Sequence, residues 1–485
     1  MYTLQQMPIN PKTISRRMYT KLPFPLEFHI HIFDLQNPEE VQNGGKPHFK
    51  DIGPYVFHEY LLKHDTIDDE ENDTLQFTMR KTWIFKPKLS KGLTGEEIIT
   101  TVHPVLNSLA LAVNVDRKAL LPMISDVIQI MFEPTSPFWT GRAMDLLFDG
   151  IPIDCSSNNF KVKAICSVFE TGDNPSIQPL TDDGSQFKFS LFGAFNHSSN
   201  GVFKVSRGKK IMSDVGRVLE VDGNLEVDAW YSDEENQFKG TDGYFIPPFR
   251  SIDDEIWAFE RALCISLNLQ YKQKTYNRGA PLRTFGQNLD RFATNEAYCR
   301  ENGSCPIPGT LDLFNCIGVP IIATLPHFLD THPSLLEHVQ SGLKPNRKDH
   351  EIFASIDLKT GIPLLGAKRL QLNFEMVPIP LVDVMKNLTS MIFPFIWIEE
   401  RFKLPGIYVA LLHLTLISSQ RLVKIIEWLC FTLIPIAGFA SLTIHYLIKL
   451  GQITVIDDSA KSMGRNAVID GAIKMVNKRN HISHG

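Results

Sequence analysis

Much of what would mark an enzyme is missing from this chain of 485 residues. No G-x-S-x-G supplies the nucleophile elbow of an α/β-hydrolase. No Walker loop and no G-x-G-x-x-G offers a cradle for phosphates. His58-Glu59 opens like a zinc-protease helix, but Leu62 stands where the second histidine ligand belongs. Cys299 and Cys305 are too far apart for a C-x-x-C redox or zinc pair. A concentrated basic surface is also lacking: 49 Lys and Arg stand against 54 Asp and Glu, which argues against nucleic acid as a partner. No cofactor or metal is implied, and an enzyme without a local motif is the rival to a non-enzymatic reading. Residues 1–27 contain no apolar stretch fit for a signal peptide or a first membrane span.

One long apolar run is present. From Trp428 to Ile448 the chain reads WLCFTLIPIAGFASLTIHYLI, without Lys, Arg, Asp or Glu. At 1.5 Å per residue it spans roughly 30 Å, the thickness of a bilayer core. Trp428, Tyr446 and Lys449 are interfacial anchors, and Pro435 and Gly438 are tolerated in lipid. A transmembrane helix is predicted over 428–448. The tail, 449–485, carries Lys461, Arg465, Lys474, Lys478 and Arg479 against Asp457, Asp458 and Asp470, which favours the cytoplasmic side. The large N-terminal part holds Asn-x-Ser/Thr sequons at Asn72, Asn196, Asn302 and Asn387, and every cysteine but Cys430 lies between 155 and 316. Both features point to an exported body.

Within that body Glu27 to Phe33 alternates as a strand. His29 and His31 on its other face have no third ligand nearby and read as solvated rather than metal-binding. Leu75–Phe85 is a second strand. Thr94 with Glu97 forms a capping box, predicting a helix from Glu96 to Ala112. A second helix follows over Arg117–Phe132 with Pro122 as kink or boundary, and a third, shorter one over Phe138–Phe148. Three helices among strands suggest a helical cap, 94–148, on a β scaffold. Asp222-Gly223 between alternating runs predicts a hairpin. Arg207, Lys209 and Lys210 before it read as a solvated turn. Ile352–Ile356 and Leu370–Met376 are strands around the Lys359-Thr360-Gly361 turn. Gly406–Ile417 is apolar but too short to span a bilayer. The fold class reads as α+β.

Several segments together resemble the class B scavenger receptors and, within them, the insect sensory neuron membrane proteins. They are Asn37-Pro38-Glu39-Glu40, Gly45-Lys46-Pro47, Ile52-Gly53-Pro54-Tyr55, Leu147-Phe148-Asp149-Gly150 and Phe189-Ser190-Leu191-Phe192-Gly193. Gly240-Thr241-Asp242-Gly243, Leu325-Pro326-His327-Phe328, Lys368-Arg369-Leu370-Gln371 with Asn373, and Phe395 to Glu400 continue the series. The resemblance implies a large antiparallel β-barrel-like ectodomain over 22–425, a helical-bundle cap and a hydrophobic tunnel leading towards the membrane. Family members carry a membrane helix at each end. Met1 falls about where the first should finish, so residues 1–21 are expected to be a juxtamembrane remnant of an N-terminally incomplete sequence.

The family's cysteine pattern implies disulfides Cys264–Cys316 and Cys299–Cys305. A third family bridge falls at Glu235 and Ala297, both cysteines being lost together. Cys155 and Cys166 are left as an extra pair or as two buried thiols, with thiols preferred. Asn72, Asn196 and Asn387 are the expected glycosylation sites, while Asn302 inside the short cysteine loop should glycosylate poorly. The resemblance further implies a plasma-membrane receptor or co-receptor that binds lipid-like, fatty-acid-derived odorants or pheromones. It would pass them through the tunnel to membrane lipids or to an odorant receptor. A scavenger or sorting receptor for lipoprotein or protein ligands is the alternative. Some relatives carry lysines in the cap segment suited to a carboxylate. Here that segment holds Glu133, Phe138 and Trp139 and no Lys, so a neutral ligand is expected, with Lys118 and Arg142 as remaining anion receivers. In the tail Val468, Ile469, Ala472, Ile473 and Val476 share a helical face, which either lies on the inner leaflet or is disordered.

Overall fold

The computed structural model describes residues 6–133, 135–172, 174–287, 289, 291–300, 303–412 and 418–451. Two units separate, residues 1–409 and 410–485. The strands of the first unit are, in order, β1 (Leu26–Leu35), β2 (Phe49–Asp69), β3 (Thr74–Phe85), β4 (Ile98–Val102), β5 (Phe138–Arg142), β6 (Ile151–Asp154), β7 (Ile177–Pro179), β8 (Gln186–Phe189) and β9 (Ser199–Ser206). They continue as β10 (Val218–Val221), β11 (Ile256–Glu260), β12 (Ile265–Asn277), β13 (Ala280–Gly286), β14 (Thr310–Asp312), β15 (Ile321–Thr324), β16 (Phe353–Asp357), β17 (Ile362–Met376) and β18 (Met391–Lys403).

One antiparallel sheet of 13 strands dominates, in the order β10-β9-β3-β2-β1-β18-β17-β16-β13-β12-β11, with β14 and β15 attached at β17. The alternation read from the sequence holds in β1, where Phe28, Ile30 and Ile32 are buried. The first and last strands lie side by side, Ile30 facing Ile398. The two edges of the sheet are stitched by one short segment. Val218 N–H donates to Gly240 O at 2.9 Å, Thr241 N–H to Trp257 O at 3.2 Å, and Phe259 N–H to Thr241 O at 2.7 Å. The sheet is thereby a nearly closed barrel, and closure removes the unpaired edges that invite aggregation. Gly240 sits at φ +79, and a Cβ there would lie 1.9 Å from Trp257 O, so only glycine fits the seam.

Three helices, Pro104–Asp116, Leu121–Met131 and Phe160–Thr171, share one large apolar cluster with β1, β4, β5 and β18. The third differs from expectation. Phe138–Phe148 is not a helix: Phe138–Arg142 is β5, paired with β4, followed by one π-helical turn at Asp145–Asp149. The capping box also does other work. Glu97 accepts from Thr94 N at 2.7 Å and Gly95 N at 2.8 Å, yet the chain enters β4 rather than a helix. Ile98-Ile99-Thr100-Thr101 is a β-branched run, and it overrides the cap. At Asp222-Gly223 the turn forms, with φ +51 and +84, but the arm after it pairs only through single bridges.

The structure holds three disulfides, Cys155–Cys166, Cys264–Cys316 and Cys299–Cys305. The first corrects the preference for thiols. Helix Phe160–Thr171 carries Cys166 back to the end of β6, leaving the two Cα atoms 6.0 Å apart. Such a span is normal for a bridge.

In the second unit a helix runs Ser418–Lys449, with Pro435 inside it. Its Leu422–Lys449 portion, 28 residues, is long and apolar enough to cross a membrane. The predicted 428–448 span lies within it. The tail face at 468–476, residues 413–417 of the second apolar run and Asn302 lie outside the described residues.

Candidate ligand site

Glu133 is exposed just after helix Leu121–Met131. Phe138 is buried, its ring 5.9 Å from Phe393, while Trp139 is half-buried and folds over Gly141. Adjacent strand residues point to opposite faces, so these three do not converge on one site. Arg142 is taken by Glu96 at 3.0 Å and by Asp145 at 2.5 Å, and Lys118 is exposed. Asn72 is exposed in the β2–β3 turn and Asn387 is exposed near Gly44. Asn196 is half-buried and holds the Trp83 backbone from both sides, accepting from its N–H at 2.9 Å and donating to its carbonyl at 3.3 Å.

A different set of side chains does converge. Phe28, Phe57 and Phe85 lie in register across β1, β2 and β3. The Phe148 ring packs at a tilt 4.6 Å from Phe57, and Phe192 lies 5.5 Å from Phe28 and 5.9 Å from Trp83. Two of the quoted tetrapeptides hold this cluster. Leu191 N–H donates to Leu146 O at 3.1 Å and Phe192 N–H to Leu147 O at 2.9 Å. Gly193 permits the approach, since a Cβ there would lie 2.2 Å from Phe148 O. Phe85, Phe148 and Phe192 stay half-buried, so the aromatic faces are not sealed into the core.

Below the rings lies a polar floor that the sequence reading missed. The Trp83 indole donates to Glu59 at 2.8 Å. Lys81 bridges Glu59 at 3.0 Å and Glu400 at 3.1 Å, and Lys368 bridges Glu260 at 2.7 Å and Glu400 at 3.7 Å. Tyr244 donates its hydroxyl to Glu400 at 3.2 Å. Burial, then the charge of Glu400, pushes the Glu59 carboxyl up. Burial opposes ionisation of Glu400 too, but Lys368 and Lys81 outweigh it and hold that carboxyl down. Farther along β2, Lys63 pairs with Asp242, which also accepts from the Tyr19 hydroxyl at 3.0 Å. The signal was present: Phe57, Glu59, Leu61 and Lys63 alternate on one strand face, placing two charges on the buried side. Arg207 was likewise misread as a turn cation. It is fully buried and pairs with Asp68, Glu70 and Asp73, at 3.3, 2.6 and 3.2 Å.

A third group of tetrapeptides meets at Asp51. Its carboxylate receives His31 Nδ1 at 2.8 Å, His327 Nε2 at 3.0 Å and Trp397 Nε1 at 3.2 Å. His31 stacks on Trp397 at 3.8 Å and His327 on His350 at 4.3 Å. The expectation of a solvated histidine face is therefore overturned: His29 is buried beside Glu399, and His31 is half-buried under Trp397. Gly53 is required beneath His31, whose ring would lie 2.5 Å from an added Cβ. Both Asp51 oxygens are taken by these donors, and among the described residues no His, Cys, Asp and Glu grouping suits a metal.

Residues 1–445 match the pattern of the CD36 family. The chain is similar to sensory neuron membrane protein 1 of Aedes aegypti, 39% identical with 96% of this chain and 87% of that protein covered. Against its counterpart in Anopheles gambiae it is 38% identical, covering 98% and 88%. Against that of Manduca sexta it is 34% identical, covering 94% and 88%.

Proposed function

The chain belongs to the CD36 family, and on that premise we propose that it is a membrane receptor or co-receptor for lipid-like, fatty-acid-derived ligands in chemical sensing. Residues 22–425 form the exported, lipid-binding body in this reading, the helices and neighbouring turns its cap, 428–448 the span and 449–485 the cytoplasmic tail. The relatives' name, sensory neuron membrane protein, supports the sensory role, with an odorant receptor as the partner that takes the ligand. Glycans at Asn72 and Asn387 fit an extracellular face.

The observation that carries the proposal is the half-buried aromatic cluster above a floor of paired lysines and glutamates. An acyl chain lies along Phe148, Phe192 and Phe85 and enters the membrane by a tunnel through the barrel. Each CH2 kept out of water is worth about 0.8 kcal/mol, which is the physical gain such a route offers. Lys81 and Lys368 are already neutralised by Glu59, Glu260 and Glu400, leaving no spare positive charge for a carboxylate. The ligand is therefore neutral, an ester or aldehyde. Titrating the full chain with a long-chain fatty acid and its methyl ester tests this. Preference for the ester supports the reading, and preference for the free acid overturns it.

A further inference from the structure

At one end of the barrel the chain enters at Phe24 and leaves at Leu404, and there a pocket of about 270 Å³ opens. Phe24, Leu404, Pro405 and Val409 give it an apolar lining. Arg278 and Lys403 also line it, both exposed, and among the described residues neither side chain has an ion-pair or hydrogen-bond partner. Glu27 is the only lining carboxylate, and it is engaged by His29 at 3.3 Å. Burial, then Lys86, lowers the pKa of the neighbouring His58.

Two features show that Arg278 is placed with care. It occupies a two-residue hairpin turn with Gly279, at φ +48 and +83. Asn, Asp and Gly suit that position, and arginine holds it at a cost. Gly406 gives the guanidinium room, since a Cβ there would lie 2.3 Å from Nη1. The rim continues the pattern. Tyr276 and Ile407 are 65% and 76% exposed, and Lys274 sits 5.0 Å above the Tyr276 ring. Interleaved basic, aromatic and aliphatic side chains suit a headgroup layer. Val409, which lines the pocket, precedes the candidate span at Leu422 by only thirteen positions in the chain.

We propose that this pocket holds the phosphate of a membrane phospholipid. Arg278 and Lys403 take its oxygens, and Tyr276 and Ile407 border the glycerol and the first methylenes. A planar guanidinium matches two phosphate oxygens, and the lysine adds a point charge. The lipid ties the end of the barrel to the bilayer surface. The inference rests on the membrane-anchored reading, but on no ligand in the aromatic cluster.

The test is native mass spectrometry of the detergent-purified full chain, titrated with dioleoylphosphatidylcholine, with oleic acid and with inorganic phosphate. The comparison is Arg278→Asn with Lys403→Gln, a pair that keeps the turn. The wild type is expected to retain one phosphatidylcholine, the double variant to bind it at least about tenfold more weakly, and millimolar phosphate to compete. Binding of the fatty-acid methyl ester should be unchanged in the same variant, and its thermal stability undiminished. Equal phosphatidylcholine retention by both proteins overturns the proposal. So does loss of oleate alone, which would make this a carboxylate site. Failure of methyl-ester binding in the wild type counts against the proposed function and leaves this site standing.

Discussion

His327 donates from Nε2 to Asp51 Oδ2 at 3.0 Å, joining residues 276 positions apart. The proton's place is fixed, because His327 Nδ1 accepts from Lys344 N–H at 3.1 Å. Burial opposes the Asp51 charge, but hydrogen bonds from His31 and His327 prevail and hold the carboxyl well below its usual range. Asp51→Asn would turn a donor towards these donors. A loss of about 2–3 kcal/mol is expected, read as a lower denaturation midpoint of the full chain.

Acid should weaken the fold in a defined window. Burial lowers the His103 pKa to about 4, and burial with the charge of His327 does the same for His350, also to about 4. The unfolded chain takes up these protons near about pH 6.5. Stability is therefore complete above that value and falls as pH drops towards about 4. His103 caps helix Pro104–Asp116 by accepting from Leu106 N–H at 3.3 Å, which requires its neutral form. His103→Asn keeps a cap and should flatten the decline in melting temperature between about pH 7 and about pH 4.5.

Where the resemblance placed a third bridge, at Glu235 and Ala297, the structure holds a polar network. Glu235 accepts from Asn295 at 3.0 Å, from Arg291 at 3.4 Å and from the Tyr298 hydroxyl, bracketing Ala297. Glu235→Ala should cost about 2 kcal/mol. Glu235→Cys with Ala297→Cys should oxidise to an extra disulfide, seen as a loss of two hydrogens by mass spectrometry. Loop entropy worth about 4 kcal/mol should outweigh the lost hydrogen bonds.

Gly240→Ala tests the barrel seam. Its Cβ meets Trp257 O at 1.9 Å, and φ is +79. A destabilisation of about 3 kcal/mol or more is expected. Hydrogen exchange should quicken first in β10 and β11, the edges joined by Thr241.

What the sequence disclosed followed from local pattern. Phe28, Ile30 and Ile32 announced β1 by period two, and the apolar run from Trp428 announced the C-terminal helix. Phe138–Phe148 misled because FWTGRAMDLLF satisfies either period over so short a length. Cys155 and Cys166 could not be paired by eye, because helix Phe160–Thr171 returns the chain between them. The buried charges were hidden for another reason. Lys63 meets Asp242 across 179 positions and Lys81 meets Glu400 across 319, so each looked unpaired in its own segment. The tetrapeptides signalled kinship, and only the fold shows what they hold: the seam, the aromatic cluster and the Asp51 node.

The central claim is that a neutral acyl ligand occupies the aromatic cluster. Photolabelling of the full chain in lipid nanodiscs with a diazirine-bearing fatty-acid methyl ester, followed by peptide mapping, tests it most directly. Saturable labelling at Trp83, Phe148 and Phe192, competed by unlabelled ester and lost in Phe148→Ala with Phe192→Ala, is the expected result. Labelling confined to the helix at 422–449, unchanged by competitor, would contradict the account.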